Sequence, residues 1–371
     1  MAEINIKRFV DVNILTNVQS TYSGTRDILT LYTPEGVSGH EDANGNIFGS
    51  YVDAVKALNA TTFAQTLAYL KIFFDHGGAR VHLIEATGYT DLTAELIRNL
   101  PMDRILVGCV IPDANVTAGF TAMINLATGY NTAYYSGTNS FDVYRKIFFV
   151  RTTDNTVSTD VPCLAVKYSN EVGADMTMAA YLSKIDVYGQ NTVNDYSFTS
   201  ELIDYEDLTD QQLGTTLENH MNVDLYLGNN TRNVGGDLKD GADFTNTFVL
   251  IVLIQTVTQR LLNLLVQKIK NSTGLGQIYA AISSELDAYK NSGYYSTDKI
   301  WEKETLTISK NQQTYTIIEK GTPLLDGYYV RILPFTSLDE DEKIARKAPY
   351  IYIIVADQYG IRNITINGEV I

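Results

Sequence analysis

The feature that most narrows the fold is a change of hydrophobic period between Thr62 and Ala86. Phe63, Leu67, Leu70 and Phe74 recur at i, i+4, i+7 and i+11, which is one face of an amphipathic helix. Thr62-Phe-Ala-Gln65 has the spacing of a capping box, and Gly77-Gly78 supplies the left-handed residue that stops a helix. Arg80-Val-His-Leu-Ile-Glu-Ala then reads as a strand that begins at once. An apolar strand at 27–32 precedes this unit, and a helix-length segment at 91–99, Pro101 and an apolar strand at 104–111 follow it. This rhythm of apolar strands and helices predicts a mixed or mostly parallel sheet covered by helices.

The middle of the chain is less regular. Segments 146–151, 161–168 and 222–227 read as strands and 175–184 as a helix, while 187–216, rich in Asp, Asn, Thr and Tyr, reads as loops. Residues 229–241 form a polar, Gly-rich loop ahead of a long helix at 244–271, and a second helix spans 277–290. The tail is strands: 304–308, 314–318, 327–333, 350–355 and 361–366. The most hydrophobic window, 248–266, contains Gln255, Thr256, Thr258, Gln259, Arg260 and Asn263, so it reads as a buried helix rather than a membrane span. No internal repeat is visible, which removes solenoids and propellers.

The sequence offers no candidate catalytic, cofactor-binding or metal-binding residues. The histidines at 40, 76, 82 and 220 have no zinc-site spacing, and Asp42-Ala-Asn44-Gly45-Asn46 places its glycine too early for a calcium loop. Neither a nucleophile elbow nor a phosphate-binding loop occurs, and Gly274-Leu-Gly276 has Tyr279 where a dinucleotide fingerprint wants glycine. The acidic runs at 201–210 and 339–342 read as solvated faces, and the 25 tyrosines are spread over the whole chain. An enzyme is not expected, and neither is a cofactor. With 28 basic and 43 acidic residues the formal charge is −15, which repels phosphate backbones and anionic lipid, so neither nucleic acid nor a membrane is expected as a partner. Cys109 and Cys163 lie in apolar stretches and read as buried reduced thiols, and the first residues carry no signal-peptide pattern. A soluble protein of a reducing cytoplasm is the expectation.

Both chain ends carry strand material without an obvious local partner. Ile4, Ile6, Val10, Val12 and Ile14 share one parity near the start. Ile364, Ile366 and Val370 share one parity near the end, in a segment that opens at Ile361 after Gly360. Such strands complete the chain's own sheet or add to a neighbouring copy. A single arm would bind weakly, because ordering entropy cancels most of its hydrogen bonds, but many arms in a lattice would hold firmly.

Three stretches resemble the contractile-tail sheath proteins of bacteriophages. The first is a helix running into Phe73-Phe74-Asp-His-Gly77-Gly78-Ala-Arg80 and a strand. The second is the apolar helix continuing to Thr273-Gly-Leu-Gly276 and 278–293. The third is Gly327-Tyr-Tyr-Val-Arg331, then 341–346, Ala348-Pro349 and the strands of 350–371 around Gly360. Segment 115–240 has no counterpart in this likeness.

The resemblance implies an α/β (mixed α+β) fold: a mixed sheet flanked by helices, built from both chain ends, with a more irregular inserted middle. It divides the chain into an N-terminal arm (1–20), core (21–114), a variable outward-facing domain (115–240), core again (241–356) and a C-terminal arm (357–371). It further implies a structural subunit that stacks as hexameric rings around a tail tube and contracts. The expected partners are other copies, the tube protein, the baseplate and the tail terminator, in a virion tail assembled in the host bacterial cytoplasm. Ile4, Ile6, Val10, Val12, Ile14, Ile361, Ile364, Ile366 and Val370 fall where the arms would exchange strands between subunits. A sheath terminator or tube relative, and a glycan-binding module using 115–240, are the alternatives.

Overall fold

A computed structural model describes residues 13–16, 28–35, 47–86, 88–101, 103–135, 145–185, 188, 203–227, 229–266 and 271–356. In chain order the first elements are β1 (Asn13–Thr16), β2 (Ile28–Thr33), β3 (Ile47–Phe48), α1 (Tyr51–Ala57), α2 (Ala64–Asp75), β4 (Arg80–Glu85), α3 (Ala94–Arg98) and β5 (Leu106–Cys109). There follow α4 (Val116–Tyr135), β6 (Ile147–Thr152), β7 (Leu164–Tyr168), α5 (Met176–Ser183), α6 (Asp210–Glu218), β8 (Asn222–Leu227) and β9 (Asn230–Val234). The last are α7 (Phe244–Val266), α8 (Asn271–Asn291), β10 (Leu306–Lys310), β11 (Gln313–Ile318), β12 (Tyr328–Ile332), α9 (Glu340–Ile344) and β13 (Ile351–Val355).

The main sheet has the order β3-β4-β2-β5-β6-β7-β8-β9, with β4 through β8 parallel and the edges β3 and β9 antiparallel. β2 and β6 are buried along their whole length, which their unbroken apolar runs require of central strands covered on both faces. Leu29, Leu31, Val81, Leu83 and Phe149 point to the face covered by α2, α5, α7 and α8. Tyr32, Val107, Cys109, Phe148 and Val150 point to the face covered by α3 and α4. The sheet runs across the boundary expected at 114/115, so β6–β9 of the middle segment are the second half of the same layer.

In α7, Phe248 through Ile254 are all buried, in one cluster with the inner face of the main sheet, α8 and the β13 residues Ile351, Ile353 and Val355. By length and hydropathy α7 is apolar enough to span a bilayer, but here that apolar surface is mostly covered by protein. A third, small cluster of Trp301, Ile318, Leu324, Ile354 and Ala356 joins the β10–β11 hairpin to β13.

Several local expectations are corrected. The Thr62–Gln65 capping box does not form: α2 begins after Phe63 without a side-chain cap. Instead the carboxylate of Glu35, at the end of β2, accepts from the Gln65 and Thr66 amides at 3.3 and 2.9 Å. The other end behaves as expected. Gly77 takes φ +77°, its N–H donates to Phe74 O, and the Gly78 N–H donates to Phe73 O, which is the Schellman closure.

Segment 187–216 is not all loop, because Thr209 and Gln212 form a capping box that starts α6. The polar loop expected at 229–241 contains β9, paired antiparallel to β8. α8 starts at Asn271, so Gly274 and Gly276 lie inside a helix rather than between two. Both cysteines are free and buried.

Candidate assembly surface and the closed carboxyl edge

β13 is the middle strand of the small sheet, and Ile353, Ile354 and Val355 have no exposed surface. On one side it pairs antiparallel with β12, Tyr328↔Val355 through Ile332↔Ile351. On the other it pairs in parallel with β1, and Ile14 sits opposite Ile353. The socket is tied firmly to α8. Tyr328 Oη donates to Asp287 at 2.7 Å, and the Lys290 ammonium meets Asp326 at 2.5 Å. Gly327 takes φ +73° against Tyr295, where an added Cβ would come within 2.3 Å of the Tyr295 Cβ. Burial and the Asp287 carboxylate hold the Tyr328 phenol above its ordinary pKa.

The strand in that socket is short. Four residues of β1 pair with β13. Each backbone bond is worth about 1 kcal/mol, against about 1–2 kcal/mol per residue for ordering. Backbone pairing alone therefore holds β1 near break-even. β12 presents its outer edge, Tyr328–Ile332, to no other strand among the described residues. Of the residues expected in strand-exchanging arms, Ile14 is the one whose backbone is seen, on this chain's own β13. Ile4, Ile6, Val10, Val12, Ile361, Ile364, Ile366 and Val370 lie outside the described residues.

A second location invites a chemical reading. In the parallel strands the order reverses between β2 and β5, the switch point where doubly wound sheets leave a ligand crevice at their carboxyl ends. Here the protein's own side chains occupy it. Glu35 Oε2 accepts from the Thr66 hydroxyl at 2.5 Å, and Thr33 and Thr66 share a 2.7 Å hydrogen bond. The Tyr69 hydroxyl spans to Ile111, donating to its carbonyl and accepting from its N–H, both at 3.2 Å. The buried Arg151 guanidinium, on β6, ties two loops, donating to the Ser169 and Asn170 carbonyls and pairing with Asp113 at 2.7 Å. Glu206 accepts from Ser169 Oγ, the Asn170 N–H and Asn170 Nδ2.

Beneath this stitching lies a fully buried ion pair, Lys167 Nζ to Asp224 Oδ1 at 2.7 Å, with Asn233 Oδ1 also accepting from Lys167. Burial pushes the Lys167 pKa down, and Asp224 opposes the shift. Asp175, buried at the start of α5, leaves Oδ1 without a hydrogen-bond partner, and burial lifts its carboxyl to about 7 despite Arg151 and Lys167 nearby. Among the described residues no group of three or more His, Cys, Asp or Glu side chains is placed to hold a metal ion. The arrangement locks loops to one another. None of it was legible in the sequence, because Thr33, Tyr69, Asp113, Arg151, Asp175 and Glu206 belong to six different segments.

Comparison with known proteins places the fold. A scan against protein-family models gives no match, and a search of curated proteins gives none either. Among solved structures, the chain is similar to the sheath complex of an extracellular contractile injection system (PVC) in its contracted state, with TM-score 0.60 and 14% identity, covering 97% of this chain and 96% of that one. It is similar to the helical sheath of the anti-feeding prophage (AFP) in its contracted state, with TM-score 0.63 and 13% identity over 97% and 98% of the two chains. A chain of the AFP baseplate structure, also contracted, aligns at TM-score 0.54 and 14% identity over 97% and 96%. The fold is thus that of contractile-sheath subunits over nearly the full length of both partners.

Proposed function

We propose that this chain is the sheath subunit of a contractile tail or injection system, a structural part whose working unit is a polymer. The observation that carries the reading is the two-way coverage: 97% of this chain aligns with 96–98% of the sheath chains, so the whole architecture is shared rather than one common domain. A mechanical role also suits the carboxyl edge, where the loops that would cradle a substrate are bonded to each other.

In this reading the globular body is rigid and the small sheet is the connector. β13 and β12 form a socket fixed to α8, while β1 is a weakly held strand that another copy could supply in the same register. Ile4 to Ile14 and Ile361 to Val370 would serve as the exchanged arms, joining subunits of one ring and of adjacent rings around a tail tube. The arms keep neighbours attached while bodies rotate and repack on contraction. The baseplate, a tail terminator and the tube protein are the further partners of that assembly, and the protein ends in the tail of the particle.

The test is electron microscopy of the purified chain and of two truncations, lacking residues 1–14 or 361–371. The full chain should form long tubes, and each truncation should remain folded and soluble but form none. Normal tubes from both truncations would refute the exchange. A sheath-related part confined to the end of the tube is the second reading, favoured by the baseplate structure among the matches. It predicts single rings in place of long tubes.

A further inference from the structure

Apart from the small sheet, the main body carries an exposed aromatic patch at the carboxyl end of β8. Tyr205 and Tyr226 are 52% and 55% exposed, and their rings lie 5.5 Å apart, inclined at 39°. Leu227, the next residue of β8 and 45% exposed, has the opposite strand parity and is not part of the pair. Large apolar side chains gathered on a surface mark contact sites, and tyrosine is suited to them because it offers a rigid ring at low entropic cost. Tyr205 sits on the 203–209 segment, held to β8 by the Glu206 N–H donating to Asp224 O and to the β7 loop by Glu206 and Glu171.

The electrostatics of the surroundings select the partner. The described residues 34–35, 86, 88–93, 110–115, 153–156, 169–175 and 203–209, which follow β2, β4, β5, β6 and β7 or stitch to them, contain Glu35, Asp91, Asp113, Asp154, Glu171, Asp175, Asp204, Glu206 and Asp207 and no Lys, Arg or His. Of these, Asp91, Asp113, Asp154, Asp204 and Asp207 are exposed. At this edge Arg151 and Lys167 are buried and already paired with Asp113 and Asp224, and Arg232 of β9, in register with Leu225, has the opposite strand parity to Tyr226. The whole of the chain's −15 charge lies before Phe244, since acids and bases are equal in number from there on.

We infer that the Tyr205–Tyr226 face is a docking surface for a basic segment of a partner protein, with Lys or Arg side chains lying over the rings and the carboxylates of Asp204 and Asp207 receiving the rest of its charge. Ring faces attract cations, and surrounding carboxylates raise the local concentration of a basic chain. A neutral sugar would gain nothing from the field, and an acidic partner would be repelled. This inference does not depend on the sheath reading, because it uses only the surface of the body.

The experiment is fluorescence anisotropy of labelled nona-arginine titrated with the full chain at low and at physiological salt. Tyr205→Phe/Tyr226→Phe should bind like the parent chain. Tyr205→Ala/Tyr226→Ala, which leaves the charge unchanged, should bind about fivefold more weakly, the worth of two exposed cation–π contacts. Asp204→Asn/Asp207→Asn should lose affinity mainly at low salt. Glu302→Gln/Glu304→Gln, just ahead of the β10–β11 hairpin, should leave binding unchanged. Equal binding by the alanine pair, or an equal loss from the hairpin pair, would reduce the effect to general charge attraction and overturn the proposal. Concentration-dependent self-association abolished by the alanine pair, with no change in peptide binding, would assign the face to a second copy and overturn it too.

Discussion

Replacing Asp175 by asparagine should stabilise the protein above neutral pH and leave it unchanged in acid. The carboxyl is buried at the start of α5, one oxygen has no partner, and its pKa is lifted from 3.8 to about 7. A carboxyl raised in the folded state is favoured when protonated. Its contribution is therefore fully present below the unfolded value of 3.8 and is lost as pH rises through 7. A shift of about three units corresponds to about 4 kcal/mol as an upper bound. For a chain of 371 residues that is about 5 °C in Tm. The assay is thermal unfolding of the parent and Asp175→Asn proteins from acid pH, below the unfolded value of 3.8, up to beyond the folded value of about 7. The two Tm profiles should converge at the acid end, diverge as pH rises between these two values, and stay a constant distance apart above 7, with the variant higher. Parallel profiles across the whole range would show that Asp175 is not the buried acid described here.

Three other perturbations follow from the same contacts. Lys167→Met leaves the buried Asp224 without its cation and should cost about 3–5 kcal/mol in urea unfolding, while Lys167→Met/Asp224→Leu should recover most of it; equal losses in the single and double variants would count against the pair. Gly78→Ala forces a Cβ to within 2.3 Å of the Phe73 ring and should lower stability by about 1–3 kcal/mol, an effect a melting curve detects and an unchanged Tm would refute. Arg151→Lys keeps the charge but cannot span Asp113, Ser169 and Asn170 together. Hydrogen exchange should quicken in those loops and not in α7, and uniform protection would contradict the clamp.

What could be read from the sequence was what local pattern decides. The apolar strands β2, β5, β6 and β13 and the helix stop at Gly77-Gly78 follow from period and from glycine's freedom at positive φ. α4 was missed because Val116–Tyr135 contains no charged residue to mark an outer face and several Thr and Gly that weaken helix propensity; its packing on β6 decides it. β9, with the sequence NTRNV, looks like loop and becomes a strand because β8 offers it an edge. Glu35, 30 residues away in sequence, took the capping role that the local Thr62 spacing suggested. The candidate arms were legible as parity, but whose sheet a strand completes is a property of the assembly and not of one chain's pattern.

The central claim is that β1 belongs, in the assembled state, to a neighbour's β13. Ile14 and Ile353 are register partners, and the native Cys109 and Cys163 are buried and free, so a cysteine pair at these positions reports directly on strand origin. Ile14→Cys/Ile353→Cys protein would be assembled, oxidised and run on a denaturing, non-reducing gel. Strand exchange predicts a ladder of covalent multimers that collapses to monomer on reduction. A monomer band alone, with the bond formed inside each chain of an assembled tube, would contradict it.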